Sequence, residues 1–235
     1  MATVILVRHG RTTANASGTL AGRTAGVELD ETGRDQVART GKRLADVPLV
    51  ELVTSPLERC RQTAAAVAMH QSEATQATLE DALTEADYGD WQGGSLADLA
   101  QHDLWPVVQN QPSAVVFPGG ESMVSMQSRA VEAVRRRDAE IEAQHGPNAV
   151  WAAVSHGDII KAVLADALGM HLDAFQRIGV DPASVSIVRY TSARPYVVAM
   201  NTHAGDLSWL AAKPSGEDAA VGGGAGPAAP VDERS

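Results

Sequence analysis

"TVILVRHG" (residues 3–10) and "AVWAAVSHG" (residues 149–157) share one design: a short apolar run that ends in a histidine followed by a glycine. Each run lacks the alternation of a half-exposed strand, so each predicts a strand buried on both faces. Strands of that kind belong to parallel sheets covered by helices. The rest of the chain supplies the helices. "DETGRDQVARTGKRLADV" (30–47) spaces Val37, Leu44 and Ala45 at helical intervals, with Asp30 to cap the first turn and Pro48 to stop the last. "LVELVTS" (49–55) predicts a second strand, and "SPLERCRQTAAAVAMH" (55–70) a helix with proline at its first position. Ser122 to Gln144 predicts a long helix with Val124, Ala130, Val131, Val134 and Ile141 available for one face. "ASVSIVRYTS" (183–192) and "RPYVVAMNTH" (194–203) predict two late strands joined by a short turn. Strand and helix alternate, which predicts an α/β fold with a mostly parallel sheet and helices on both faces. Ligands of such sheets sit at the carboxyl ends of the strands, where both His-Gly pairs fall.

The chain has 235 residues, of which 44% are hydrophobic, enough for one sizeable domain over residues 1–212. Residues 213–235, "KPSGEDAAVGGGAGPAAPVDERS", hold no apolar side chain larger than valine, and predict a disordered Gly/Ala/Pro-rich acidic tail. The "GGGAG" within it follows no strand and opens no helix, so it does not read as a dinucleotide fingerprint. The formal net charge of −10 argues against nucleic acid or an anionic membrane as partner, though a basic pocket can exist on an acidic surface. The single cysteine, Cys60, suits a reducing compartment, and no apolar run is long enough to span a bilayer. A soluble cytoplasmic protein is expected.

Four segments carry chemistry. In "RHG" (8–10), a neutral imidazole on His9 is a competent phosphorus nucleophile. Arg8 offers a fork of donors to the phosphoryl oxygens, and Gly10 is expected to let the backbone pass close to the ligand. Thr12 and Asn15 add neutral donors. In "SPLERCRQTA" (55–64), Arg59 and Thr63 share a helix face while Arg61 is rotated away, so one arginine can point at the pocket. A cysteine phosphatase built on Cys60 needs an arginine six positions later, where the chain has Ala66. In "LTEADYGDWQGG" (83–94), Glu85 or Asp87, in an apolar setting supplied by Tyr88 and Trp91, can hold a proton near neutral pH for a leaving alkoxide. In "SHGDII" (155–160), His156 ends a strand and Gly157 opens a helix whose first free amides point at the site. The seven histidines are scattered, with neither HExxH nor GxxxxGK[ST], so neither a metal nor a nucleoside triphosphate site is expected, and no cofactor.

In this order, RHG, SPLxRxxQTA, the Glu-x-x-Tyr-Gly-x-Trp-x-Gly loop and SHG resemble the histidine phosphatase superfamily, in its phosphoglycerate mutase-like branch. The resemblance covers about residues 2 to 205 and implies a three-layer α/β/α sandwich that needs no metal. It implies that His9 is the phosphorylated histidine, that Arg8, Arg59 and His156 complete the phosphate pocket, and that Glu85 is the proton donor. Thr12, Asn15 and Gly22 match further pocket positions. Arg11 departs from the acidic residue common after RHG, and is expected to add positive charge near the mouth. The branch holds hydrolases and isomerases. Its mutases carry extra Lys and Arg after the catalytic glutamate, whereas Glu85 to Ser128 holds neither, and Arg129 and Arg135 to Arg137 are expected to face solvent. A phosphomonoester hydrolase is therefore favoured, with a phosphoglycerate mutase-type phosphomutase as the alternative and a non-catalytic phospholigand-binding protein as the alternative of another class. The walls from Leu96 to Phe117, with Trp91 and Trp105, suggest an organic body on the substrate. The expected partner is a small phosphomonoester; a homodimer is one option for the oligomeric state.

Overall fold

The computed structural model describes residues 2–71, 76–205 and 221–226. Strands β1 (Thr3–Arg8), β2 (Leu49–Thr54), β3 (Thr78–Leu79), β4 (Val150–Ser155), β5 (Val185–Arg189) and β6 (Tyr196–Thr202) form a six-stranded sheet in the order β3-β2-β4-β1-β5-β6. β1, β4, β2 and β3 run parallel, and β5 is antiparallel to both β1 and β6. The α-helices are α1 (Thr13–Ala16), α2 (Glu31–Arg43), α3 (Glu58–Ala68), α4 (Leu96–Leu99), α5 (Trp105–Asn110), α6 (Met123–His145) and α7 (Gly157–Ala167).

Alternate side chains of the central strands feed two cores. Ile5, Val7, Leu52, Ala152 and Val154 pack with Cys60, Ala64 and Val67 of α3 on one face. Val4, Leu6, Val53, Trp151 and Ala153 pack with Ala130 and Val134 of α6 and Ile159 and Val163 of α7 on the other. The result is a three-layer sandwich with a mostly parallel sheet, as expected from runs apolar on both faces. Each fully buried valine or leucine in these layers contributes about 2 kcal/mol. Among the described residues, no helix is long and apolar enough to cross a membrane.

Several boundaries differ from expectation. α2 is capped by the Asp30 carboxylate, which accepts from Gly33 N at 2.7 Å, but it ends at Arg43; residues 44–47 form a tight turn closed by Val47 N donating to Leu44 O at 3.0 Å. α3 begins at Glu58 rather than at Ser-Pro, because Leu57 is extended and serves as the cap position. Val124 is 45% exposed, since α6 buries Met123, Met126, Ala130, Val134 and Ile141, a stripe one residue out of step with it. Residues 81–121, to which the sequence pattern assigns no helix or strand, contain single 3-10 turns (Asp81–Leu83, Gly89–Trp91, Pro112–Ala114), α4 and α5, and fold their aromatics into the core: Trp91 stacks on Trp105 at 6.2 Å and meets Phe117 edge-on at 5.4 Å. Of the expected tail, residues 213–220 and 227–235 lie outside the described residues. Of residues 221–226, Val221 and Gly223 are buried and the other four are half-buried.

Candidate active site

Parallel pairing of β1 with β4 sets Arg8 opposite Ser155 in register. The two strands therefore end level, and His9 N donates to Ser155 O at 3.0 Å. This brings the two His-Gly turns side by side, with the His9 and His156 rings 5.2 Å apart, edge to face. β2 ends beside them, where Ser55 N donates to Val154 O, and the following helix delivers Arg59 between the two imidazoles. Arg59 and Thr63 are buried, while the Arg61 side chain is 57% exposed, the division the helical spacing predicts.

The hydrogen bonds fix the protonation of both rings. Burial, then Arg59 and Arg8, hold His9 well below its usual range, so it is neutral. Gly10 O can only accept, so its 2.7 Å partner His9 Nδ1 carries the proton. His9 Nε2 keeps its lone pair and accepts from Arg59 Nε at 3.3 Å. His156 is likewise held neutral by burial and by Arg59. Its Nδ1 faces the Arg59 Nη2 donor at 3.2 Å, so the ring proton sits on Nε2 and is donated to Ser55 Oγ at 2.8 Å. Both nitrogens of His156 are thus engaged within the protein.

The arginines are charged and incompletely satisfied. Arg8 is fully buried, and burial brings it down to about 10, still cationic at neutral pH. It donates from Nη1 to Val180 O at 2.8 Å, and from Nη2 to the carbonyl oxygens of Gly222, Gly223 and Gly224. Among the described residues, Arg8 Nε and Arg59 Nη1 are buried with no partner. Buried guanidinium donors left unpaired cost free energy, and an anion in the cavity would satisfy them. Glu85 is 2% exposed, and burial followed by the nearby Asp158 charge raises its carboxyl to about 8. It is therefore a neutral acid at pH 7.

His9, Thr12, Asn15, Gly22, Arg59 and Glu85 line one cavity of about 30 Å³, together with Tyr88, Leu96 and Val221. Arg8, His156 and Gly157 are not among its lining residues. Gly22 O accepts from Arg59 Nη2 at 2.7 Å. Thr12 and Asn15 cap α1 reciprocally, Asn15 N donating to Thr12 Oγ1 and Thr12 N to Asn15 Oδ1, both at 3.1 Å. Gly10 serves packing rather than ligand approach, since a Cβ there would meet Gly33 O at 2.6 Å and Val37 at 2.7 Å. Trp91, Trp105 and Phe117 are core residues and do not line the cavity; of that stretch only Leu96 does. Arg11 does not charge the mouth, because Asp30 holds its Nε at 2.8 Å and Thr32 its Nη2 at 2.8 Å. Cys60 is fully buried and its thiol is pushed up to about 12 by burial, so it is inert at neutral pH.

Several residues of the site escape a sequence reading. Arg129 faces inward, not to solvent: it donates to Glu85 O at 3.2 Å and to Glu121 Oε1 at 2.6 Å. Arg23 does the same from the other side, donating to Glu85 O at 2.9 Å and to Glu121 Oε1 at 3.0 Å. Asp87 N also donates to Glu121. The Glu121 carboxylate therefore clamps two arginines and the loop that carries Glu85. Asp158 accepts from Tyr88 Oη at 2.8 Å and lies 3.4 Å from Lys161 Nζ, a buried group of three beneath the cavity.

The histidine phosphatase superfamily (branch 1) model matches residues 4–203. The chain is 30% identical over 207 residues to phosphoserine phosphatase 1 of Hydrogenobacter thermophilus, covering 86% of this chain and 92% of that one. It is 28% identical over 215 residues to "Probable phosphoglycerate mutase GpmB" of Erwinia tasmaniensis, covering 89% and 95%. The solved structure of Bacillus stearothermophilus YhfR superposes with a TM-score of 0.76 at 27% identity, covering 85% of this chain and 96% of that one. A match over residues 4–203, on a sheet whose strand ends gather His9, Arg59, Glu85 and His156 as described, means that this chain belongs to the histidine phosphatase superfamily, branch 1.

Proposed function

We propose that this histidine phosphatase hydrolyses small phosphomonoesters in two steps through a phosphohistidine on His9. In the first step the His9 Nε2 lone pair attacks phosphorus, the bond to the ester oxygen breaks, and the leaving alkoxide takes the proton of Glu85. Nδ1–H, held by Gly10 O, shares the positive charge that develops on the ring. In the second step the Glu85 carboxylate takes a proton from water as the water oxygen attacks phosphorus. The P–N bond breaks and its electron pair returns to the imidazole, restoring both residues. Arg59 and Arg8 stabilise the charge on the equatorial oxygens, and His156 supports Arg59 from behind. Thr12 and Asn15 add polar wall, Gly22 holds Arg59 through its carbonyl oxygen, and Gly157 opens α7 next to His156.

One observation carries the reading: a neutral imidazole whose Nε2 lone pair is turned to Arg59, that buried arginine with a donor unpaired among the described residues, and a carboxyl that is protonated at pH 7 line a single cavity. The mutase reading is favoured less. Holding a second phosphoryl group calls for free cations near the mouth. Arg11 is paired with Asp30, and Arg23 and Arg129 with Glu121.

The test is a steady-state assay with chelator present, on a phosphomonoester panel and on 3-phosphoglycerate with and without 2,3-bisphosphoglycerate. The expected result is phosphate release from monoesters with no isomerised product. Isomerisation that depends on the bisphosphate would overturn the hydrolase reading in favour of the mutase. Binding without any turnover would favour the non-catalytic alternative.

A further inference from the structure

Residues 221–226 do something that their glycine-rich sequence does not announce. The carbonyl oxygens of Gly222, Gly223 and Gly224 all accept from Arg8 Nη2, and Gly222 N donates to Asp158 Oδ2 at 3.1 Å. Val221 is buried, and Val221 to Gly224 form one wall of the cavity that His9, Arg59 and Glu85 also line. The space that remains, about 30 Å³, is on the scale of a water molecule or two, too small for a phosphoryl group. Carbonyl oxygens are the neutral counterpart of phosphoryl oxygens: both are acceptors that a guanidinium fork satisfies. Only glycine suits this seat. Gly222 and Gly223 have φ of +72° and +69°, and a Cβ on Gly223 would meet the Arg8 guanidinium carbon at 2.9 Å. A Cβ on Gly157, at the start of α7, would in turn meet Gly222 O at 3.0 Å.

We propose that the phosphate pocket is also a peptide-backbone site, filled by the chain's own residues 221–226, which compete with phosphate for Arg8 and must leave before substrate enters. The proposal rests on the phosphatase reading of the pocket and adds a regulation of it. Affinity for any phosphate-sized anion is lowered by the fraction of molecules in which the segment is seated. A partner or modification that holds the segment away would raise activity without touching a catalytic side chain.

The test uses the full chain and a Gly223→Val variant, with orthovanadate as the probe and isothermal titration as the readout. Valine at a left-handed position is strained enough to unseat the segment, so orthovanadate should bind the variant about tenfold tighter than the unaltered chain. Hydrogen exchange read in parallel should show the Gly222 to Gly224 amides losing protection when orthovanadate binds the unaltered chain. Binding to the variant that is unchanged or weaker overturns the proposal, the weaker result because it makes the segment a wall that assists binding. Unaltered exchange at those amides overturns it as well. If neither protein binds orthovanadate, the phosphate pocket itself is refuted, an outcome distinct from a pocket that binds equally well with and without its plug.

Discussion

The proton on Glu85 is the most exposed point of the mechanism, and Glu85→Gln tests it. An ordinary glutamate, with its pKa near 4.5, would be protonated in about one molecule in three hundred at pH 7. Burial and the Asp158 charge raise Glu85 to about 8, so that about nine molecules in ten hold the proton at that pH. The structure thus raises the competent fraction by more than two orders of magnitude. His9 contributes no limb in this range, since it is held neutral well below its usual pKa. The rate on an alkyl phosphate should therefore be flat through neutrality and fall tenfold per pH unit above about pH 8. Glutamine cannot donate a carboxyl proton, so the variant should lose about 10²- to 10⁴-fold on alkyl esters and show no limb at pH 8. Nitrophenyl phosphate, whose leaving group needs no proton, should lose far less. Stability follows with a definite sign. Between about pH 4.5 and 8 the folded chain holds a proton that the unfolded chain releases, so Glu85 makes stability fall as pH rises through that window. Glu85→Gln should remove that fall, and melting curves at pH 6 and pH 9 check it. Equal losses on both substrates, or a basic limb that persists unmoved in the variant, would refute the assignment.

His9→Ala should abolish both turnover and the acid-labile phosphoenzyme, measured by rapid quench with a labelled monoester; normal phosphoenzyme formation would remove the nucleophile. Glu121→Gln takes away the counter-charge that Arg23 and Arg129 share, and with it the clamp on the Glu85 backbone. It should lower kcat on alkyl phosphates by about tenfold while nitrophenyl phosphate changes little, since only the acid is displaced. Asp30→Ala removes the α2 cap and the partner of Arg11 at once. It should cost about 1–2 kcal/mol in chemical denaturation and leave kcat unchanged, because neither residue reaches the cavity. Gly33→Ala would drive a Cβ into the Arg11 backbone and should destabilise by about 1–3 kcal/mol, read from the denaturation midpoint.

The fold was legible wherever side-chain type alone decides the outcome. Val4 to Val7 offer nothing but apolar side chains, and Val150 to Val154 only the Trp151 indole N–H besides, so burial on both faces follows from composition. Arg59 was legible for the same kind of reason, because helical spacing turns it to the face opposite Arg61. The charges were not. Whether an arginine is free depends on where its counter-ion folds, and Arg11 meets Asp30 while Arg129 meets Glu121 and the Glu85 carbonyl across turns that no periodicity reports. Counting Lys and Arg after Glu85 favoured a hydrolase because Glu85 to Ser128 holds neither, yet Arg129, the first to follow, faces the site. What removes it from the substrate is the Glu121 carboxylate. The glycines of residues 222–224 were the least legible of all. They carry no side chain, and their contribution is made by carbonyl oxygens that every residue possesses. A reading of side chains finds the groups proposed to act on phosphate: His9, Arg8, Arg59 and Glu85. The backbone then decides when they can, since the same Arg8 donor cannot serve a phosphoryl oxygen while it is bound to Gly222, Gly223 and Gly224. The proposed catalytic groups of this pocket and its accessibility are therefore written in different parts of the chain, and they can change independently.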